Sequence, residues 1–323
     1  MHRRQVFALT IGDPTGIGPE ITAKLLQDAS LLEQFQLEII GHIDHLRQVA
    51  AQLGLVLPSD AVASLQYTHI AGNPADAADG GRIAYESLEA ANTSLLAGRA
   101  DAMVTGPISK ANLQAAGIGF HGHTEILEMF ARRDYPGANH QADMMFLYRR
   151  FRLLLLTRHV PLAQVGQALT VEGVCRSLRS LTHFLREILH IETPRLRMLG
   201  VNPHAGETGG REEETILLPA IRRIEAELGL TIPEPGPADA IFRGFNPDAP
   251  ADDAYVAAYH DQGLIPMKLV AGLQAVNVTI GLPFLRTSVS HGMAPDIVGR
   301  GIASPASLEA ALHCAAELVR IRG

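Results

Sequence analysis

Three histidines stand just past apolar runs: RLLLLTRH ends at His159, RLRMLGVNPH reaches His204, and DAYVAAYH ends at His260. If the runs are neighbouring parallel strands, the imidazoles converge on one sheet edge, the edge outside which open α/β sheets bind their ligands. Three imidazoles with an open fourth position would make a catalytic site for Zn²⁺ or a similar ion. A lone histidine at a strand end is more often structural, and separations of 45 and 56 residues are too long for a local ligand motif. The metal reading therefore rests on convergence.

Other polar sets also follow apolar runs. GDPTGIGPE (12–20) has glycines that permit close backbone approach and Pro19 at a helix start, but lacks the third glycine of a dinucleotide fingerprint, so a tight turn explains it equally well. VTGPISK (104–110) ends in Lys110, which on base rates faces solvent. In HGHTE (121–125), Thr124 is suited to cap a helix beginning at Glu125. Lys268, Asn277 and Arg286 lie in or beside apolar segments where a free charge is costly. A substrate phosphate or carboxylate would satisfy such cations, and so would an acidic side chain of the fold.

These residues need a scaffold. Short apolar runs at 6–12, 35–41, 101–106, 152–159, 195–202, 253–260 and 275–281 alternate with segments of helical period, the pattern of an α/β protein with a largely parallel sheet. Helices are expected from Gly81 to Leu96, ended by Gly98, and after Ser304-Pro305 at the C-terminus. A length of 323 residues suggests two domains, with a boundary expected near 125–140, where Arg132, Arg133, Asp134, Pro136, Gly137 and Asn139 cluster. A net charge of -7 without a basic stripe argues against a nucleic-acid partner. No run is long enough to span a membrane, the opening MHRRQVFALTIG reads as a strand, and the cytoplasm is the default compartment. The two cysteines imply no disulfide framework.

Taken in order, GDPTGIGPE, DAMVTGPISK with AGIGFHGHTE, TRHVPL, NPHAGE, YHDQGLIPMK and LPFLRTSVSHG resemble the 4-hydroxythreonine-4-phosphate dehydrogenase family of vitamin B6 biosynthesis, from about residue 6 to 320. The resemblance implies an isocitrate/isopropylmalate dehydrogenase-like α/β/α sandwich of two domains, 1–130 with the C-terminal return 290–323 and 131–289, with an interdomain cleft and a homodimer whose sites use both subunits. It implies that His159, His204 and His260 hold a divalent metal shared between partners. It further implies that His123, Thr124, Lys268, Asn277 and Arg286 bind a small phosphorylated hydroxy acid. HGMAPDIVGRGIASP (291–305) is similar to the adenosine-binding segment of isopropylmalate dehydrogenases, which assigns His291, Gly292 and Asp296 to NAD. A carboxylate at Asp296 would accept the ribose hydroxyls and repel a 2′-phosphate.

The chemistry implied is oxidation of a secondary alcohol followed by loss of CO₂, with the metal, zinc foremost and magnesium or cobalt as alternatives, lowering the hydroxyl pKa and stabilising the enolate. Lys268 would orient an anionic end of the substrate, and Asp261 is a candidate to orient His260 or accept a proton. NPHAGETGGREEE is shorter than the family's usual glycine loop, and MAPDIVG replaces a segment more often like TALDLAG. Those departures keep other substrates open: D-threonate or D-erythronate 4-phosphate, or an aromatic cis-dihydrodiol carboxylate. An acid-ligated decarboxylating dehydrogenase, a phosphate acyltransferase and a catalytically silent ligand-binding protein are the rivals from other classes.

Overall fold

The computed structural model describes residues 3–59, 62–120, 122–135, 140–207 and 209–322. His121, Pro136, Gly137 and Asn139, singled out above, lie outside the described residues. Contacts divide the chain into one unit of Met1–Ala142 with Leu282–Ile321 and another of Asp143–Gly281. In chain order the strands are β1 (Val6–Thr10), β2 (Gln36–Gly41), β3 (Leu65–His69), β4 (Ala102–Thr105), β5 (Asp143–Tyr148), β6 (Phe151–Leu155), β7 (Leu196–Met198), β8 (Ala254–Ala257), β9 (Val276–Ile280) and β10 (Arg286–Ser288).

In the first unit the order is β3-β2-β1-β4-β10 and every pair is parallel. Parallel strands need crossovers, and helices supplied by those crossovers cover both faces. Successive side chains of β1 show it. Ala8 joins Ile40 and Met103 in a cluster with Leu88 and Ala91 of the Ala77–Leu96 helix. Phe7, pointing the other way, stacks edge-on against Phe35 at 5.4 Å, which in turn meets His313 of the Ala306–Arg322 helix at 5.8 Å. Two buried faces explain why β1 is apolar from Val6 to Leu9, and each fully buried Leu, Ile or Phe contributes about 2 kcal/mol.

The Ala77–Leu96 helix begins a turn before the expected Gly81, because the Asp76 carboxylate accepts the Asp79 N–H at 2.9 Å and caps it. Gly80 and Gly81, poor helix formers, remain inside because the neighbouring segment passes too close for a side chain. A Cβ on Gly81 would stand 2.0 Å from the carbonyl oxygen of Asn112. Asn112 donates from Nδ2 to Asp13 Oδ2 at 2.8 Å and to Thr15 Oγ1 at 3.0 Å, while Asp13 Oδ1 accepts both the backbone N–H and the hydroxyl of Thr15. The GDPTGIGPE segment is thus a buried, side-chain-locked turn leading into the Gly18–Leu25 helix, with Pro19 in its first turn.

In the second unit the order is β9-β5-β6-β8-β7. Here β5 runs antiparallel to both β9 and β6, whereas β6, β8 and β7 are parallel. The His260–Ala271 helix lays Leu264, Met267 and Ala271 on Phe151, Leu153, Leu155 and Tyr255. All seven strands expected from apolar runs are present, and the α/β class with largely parallel pairing is correct. β3, β5 and β10 had no expectation: β3 is a half-exposed edge strand, β5 starts on an aspartate, and β10 has three residues and begins with an arginine. Neither cysteine is bridged. Gly81→Ala is expected to lower unfolding free energy by about 3 kcal/mol, as overpacking against rigid backbone does; a denaturant midpoint equal to wild type would contradict the close approach.

Candidate active site

The three histidines follow the carboxyl ends of three adjacent parallel strands, β6, β8 and β7. Side chains stitch those ends together. Thr157, after β6, donates from its hydroxyl to the Ala258 carbonyl at 2.7 Å. Gln262 accepts the Ala258 N–H at 2.7 Å and donates to the Gly200 carbonyl, after β7, at 2.6 Å. The His159 and His260 rings consequently lie 5.6 Å apart. Asp261 Oδ1 bonds His260 Nδ1 at 2.6 Å, a contact that fixes the orientation of the ring.

His204 is held differently. It and Ala205 are left-handed at φ 54° and 53°, a region that costs non-glycine residues roughly 1 kcal/mol or more each. The turn is imposed by Asn202, whose N–H donates to the buried Glu213 at 2.7 Å and whose amide donates to Glu212 and Glu213 at 2.8 Å. The same amide holds the Glu212 carboxyl below the usual carboxylate range. His204 projects at the surface, and among the described residues no three His, Cys, Asp or Glu side chains of this chain gather as a metal cluster. Of the expected three-histidine set, His159 and His260 meet in this chain, and among the described residues no third such side chain gathers with them. A cavity of about 530 Å³ opens beside all three loops, bounded by Leu162 and Gly166, by Val201, Asn202 and Glu212, and by Tyr259.

The first unit holds a second constellation, at the carboxyl ends of β4 and β10. Arg286 is 1% exposed. Its Nε and Nη2 both donate to Thr105 Oγ1, at 3.1 and 2.7 Å. Thr105 passes its own proton to Ser288 Oγ at 2.9 Å, and Ser288 donates to the Thr105 carbonyl at 3.0 Å. Burial pulls the guanidinium pKa down to about 9, so it is still charged at neutral pH. His123 sits against the backbone of Gly106, while its Nε2 is sealed from solvent with no hydrogen-bond partner. Burial first, and the nearby Arg286 charge second, hold His123 neutral well below the usual histidine range.

Two expectations need correction. Thr124 does not cap a helix starting at Glu125: the helix is His123–Asp134, Gly122 is its N-cap, and Thr124 is buried inside the first turn. Lys268 is not a costly buried cation, because it lies on the exposed side of the His260–Ala271 helix, one residue after the buried Met267. Asn277 on β9 does have a buried amide oxygen without a hydrogen-bond partner. His291 and Gly292 lie in a turn closed by a 2.9 Å bond from His291 Nδ1 to the Gly292 carbonyl, and Asp296 is exposed. That segment is strapped to the Gly18–Leu25 helix. Lys24 donates to the carbonyls of Gly301 and Ala303, and Glu20 accepts the Ala303 N–H at 2.8 Å. Lys110 is exposed, as base rates suggested. Sequence reading passed over Thr105, Ser288 and Gln262, although Thr105 ends an apolar strand just as the histidines follow theirs.

Residues 19–315 match the family described as pyridoxal phosphate biosynthetic protein PdxA, and the chain belongs to that family. It is 42% identical to a 4-hydroxythreonine-4-phosphate dehydrogenase of Thermosynechococcus vestitus, over 97% of this chain and 96% of the relative. A second relative of that description, from Burkholderia vietnamiensis, is 40% identical over 98% of this chain and 97% of its own. Among solved structures, a 4-hydroxythreonine-4-phosphate dehydrogenase from Klebsiella pneumoniae superposes with a TM-score of 0.83 at 29% identity, covering 98% of this chain and all of its own. The chain is accordingly a dehydrogenase, an oxidoreductase acting on a CH–OH group.

The neutral His123 has a consequence for stability. Its unfolded pKa is near 6.5, so below that pH the unfolded chain takes up a proton that the folded chain does not, and stability declines as pH falls. Half-buried His45 acts in the same direction. Unfolding free energy is expected to be flat above about pH 7 and to drop by up to about 1.4 kcal/mol per pH unit per group below 6.5. His123→Gln should reduce that slope in denaturant titrations at pH 5.5 and 7.5; an unchanged slope would mean that His123 is charged in the folded protein.

Proposed function

We propose that the chain oxidises 4-phosphooxy-L-threonine at its secondary alcohol and releases the carboxylate as CO₂, leaving 3-amino-2-oxopropyl phosphate for pyridoxal phosphate formation. When bound, a divalent ion, zinc foremost with magnesium or cobalt as alternatives, and NAD supply Lewis acidity at the reacting oxygen and a hydride acceptor. The donor set suits such an ion: two imidazoles are already adjacent, and a carboxylate fixes the tautomer of one of them. His159, His204 and His260 would hold it, with His204 contributed across a homodimer in which each site uses both subunits. Exposed Ile265 and Leu269, one turn apart on the helix that begins with His260, offer apolar surface for that second subunit to cover.

The substrate's charged ends meet this chain's own residues. Arg286, His123 and Thr124 receive the phosphate, Lys268 an anionic end, and the sealed amide oxygen of Asn277 accepts a donor on the substrate. Asp261 orients His260 and stands beside it as an acceptor for the alcohol proton. His291, Gly292 and Asp296 receive the adenosine of NAD, the exposed Asp296 carboxylate favouring free ribose hydroxyls over a 2′-phosphate. We place the activity in the cytoplasm.

The observation that carries the reading is the buried charge of Arg286 near His123, whose sealed Nε2 has no hydrogen-bond partner, at two positions that the family resemblance assigns to the substrate. NADH formation from 4-phosphooxy-L-threonine is the test. Exhaustive chelation should abolish it, added Zn²⁺ or Co²⁺ should restore it, and His204→Ala should reduce it by at least 100-fold. Turnover that survives removal of all metal would contradict the mechanism.

A further inference from the structure

Arg286 poses a problem of aim. An arginine side chain has four rotatable bonds, and a buried guanidinium that swings loses both its solvation and its use to a ligand. Here the hydrogen bonds at Thr105 run in one direction and leave no ambiguity. Oγ1 has two lone pairs and one proton. Both lone pairs take N–H groups of Arg286, at 3.1 and 2.7 Å, and the proton goes to Ser288 Oγ at 2.9 Å. Ser288 then spends its proton on the Thr105 carbonyl at 3.0 Å. Strand pairing presets this chain of bonds, because Ser288 is the register partner of Thr105 across β10 and β4, and Arg286 is two residues earlier on the same face. All three side chains are at most 2% exposed.

From this geometry we infer that Thr105 is a positioning residue for the substrate anion: its saturated hydroxyl, locked by Ser288, aims the Arg286 guanidinium while adding no negative charge that would compete with the ligand. A carboxylate at the same place would hold the arginine as firmly and cancel its charge. The inference rests on the reading that Arg286 receives the substrate phosphate, and it adds a residue that does not itself touch the substrate.

Steady-state kinetics with 4-phosphooxy-L-threonine and calorimetric titration with inorganic phosphate test it. Thr105→Val keeps the shape and removes the hydroxyl. It should raise KM and the phosphate Kd roughly 10- to 100-fold, the range for hydrogen bonds to charged groups, with kcat altered less than threefold. Thr105→Ser should return both to within threefold of wild type, although it loses the methyl that valine retains, so a packing role alone predicts the reverse order. Ser288→Ala, which frees the Thr105 hydroxyl to rotate, should weaken phosphate binding severalfold and keeps the inference testable if Thr105→Val does not fold. Arg286→Met separates the two levels. If it leaves phosphate affinity unchanged, the anion-site reading is overturned. If it abolishes binding while Thr105→Val and Ser288→Ala bind like wild type, only the positioning role is overturned.

Discussion

A guanidinium with almost no access to water imposes a demand on everything around it, since withdrawing such an ion from solvent costs several kcal/mol even after the surroundings relax. In this chain the demand falls on the carboxyl ends of β4 and β10. Parallel pairing brings Thr105 and Ser288 side by side, their hydroxyls run in one direction, and Arg286 is held by a neutral oxygen. The neighbouring His123 pays in protonation: beside a fixed positive charge and out of water, it stays neutral and presents a bare nitrogen. A buried nitrogen left without a partner beside a buried charge is costly to the fold.

The unit Asp143–Gly281 meets a different constraint, that of bringing three loops to one edge. Three parallel strands align their ends, but alignment to within a few ångströms needs cross-links, and Thr157 and Gln262 supply them. The left-handed pair His204–Ala205 shows that local backbone comfort was given up to turn one imidazole outward.

The sequence disclosed more of the fold than of the site. Apolar runs covered on both faces mark strands in any α/β protein, so the seven such strands were legible, while β3 at an edge and β10 with its arginine carry no such pattern. Candidate site residues stood out where an unusual side chain falls within or just past an apolar run, as at Arg286 and the strand-end histidines. Lys268 was misread because its neighbours Met267, Leu269 and Val270 suggest burial, whereas helical periodicity turns it outward beside exposed Leu269. Thr124 was misread by two residues because Gly122, extended and without a capping side chain, begins the helix early. Thr105 and Ser288 escaped because hydroxyl residues are common at strand ends, and only the register between two distant strands reveals that they act on Arg286.

The central claim is that the buried arginine and orphaned imidazole select a phosphorylated hydroxy acid. Its most direct measurement is kcat/KM with NAD across 4-phosphooxy-L-threonine, D-threonate 4-phosphate, D-erythronate 4-phosphate and an aromatic cis-dihydrodiol carboxylate. The account predicts the highest value for 4-phosphooxy-L-threonine and no turnover of the dihydrodiol. Turnover of the dihydrodiol with none of the phosphorylated acids would contradict it.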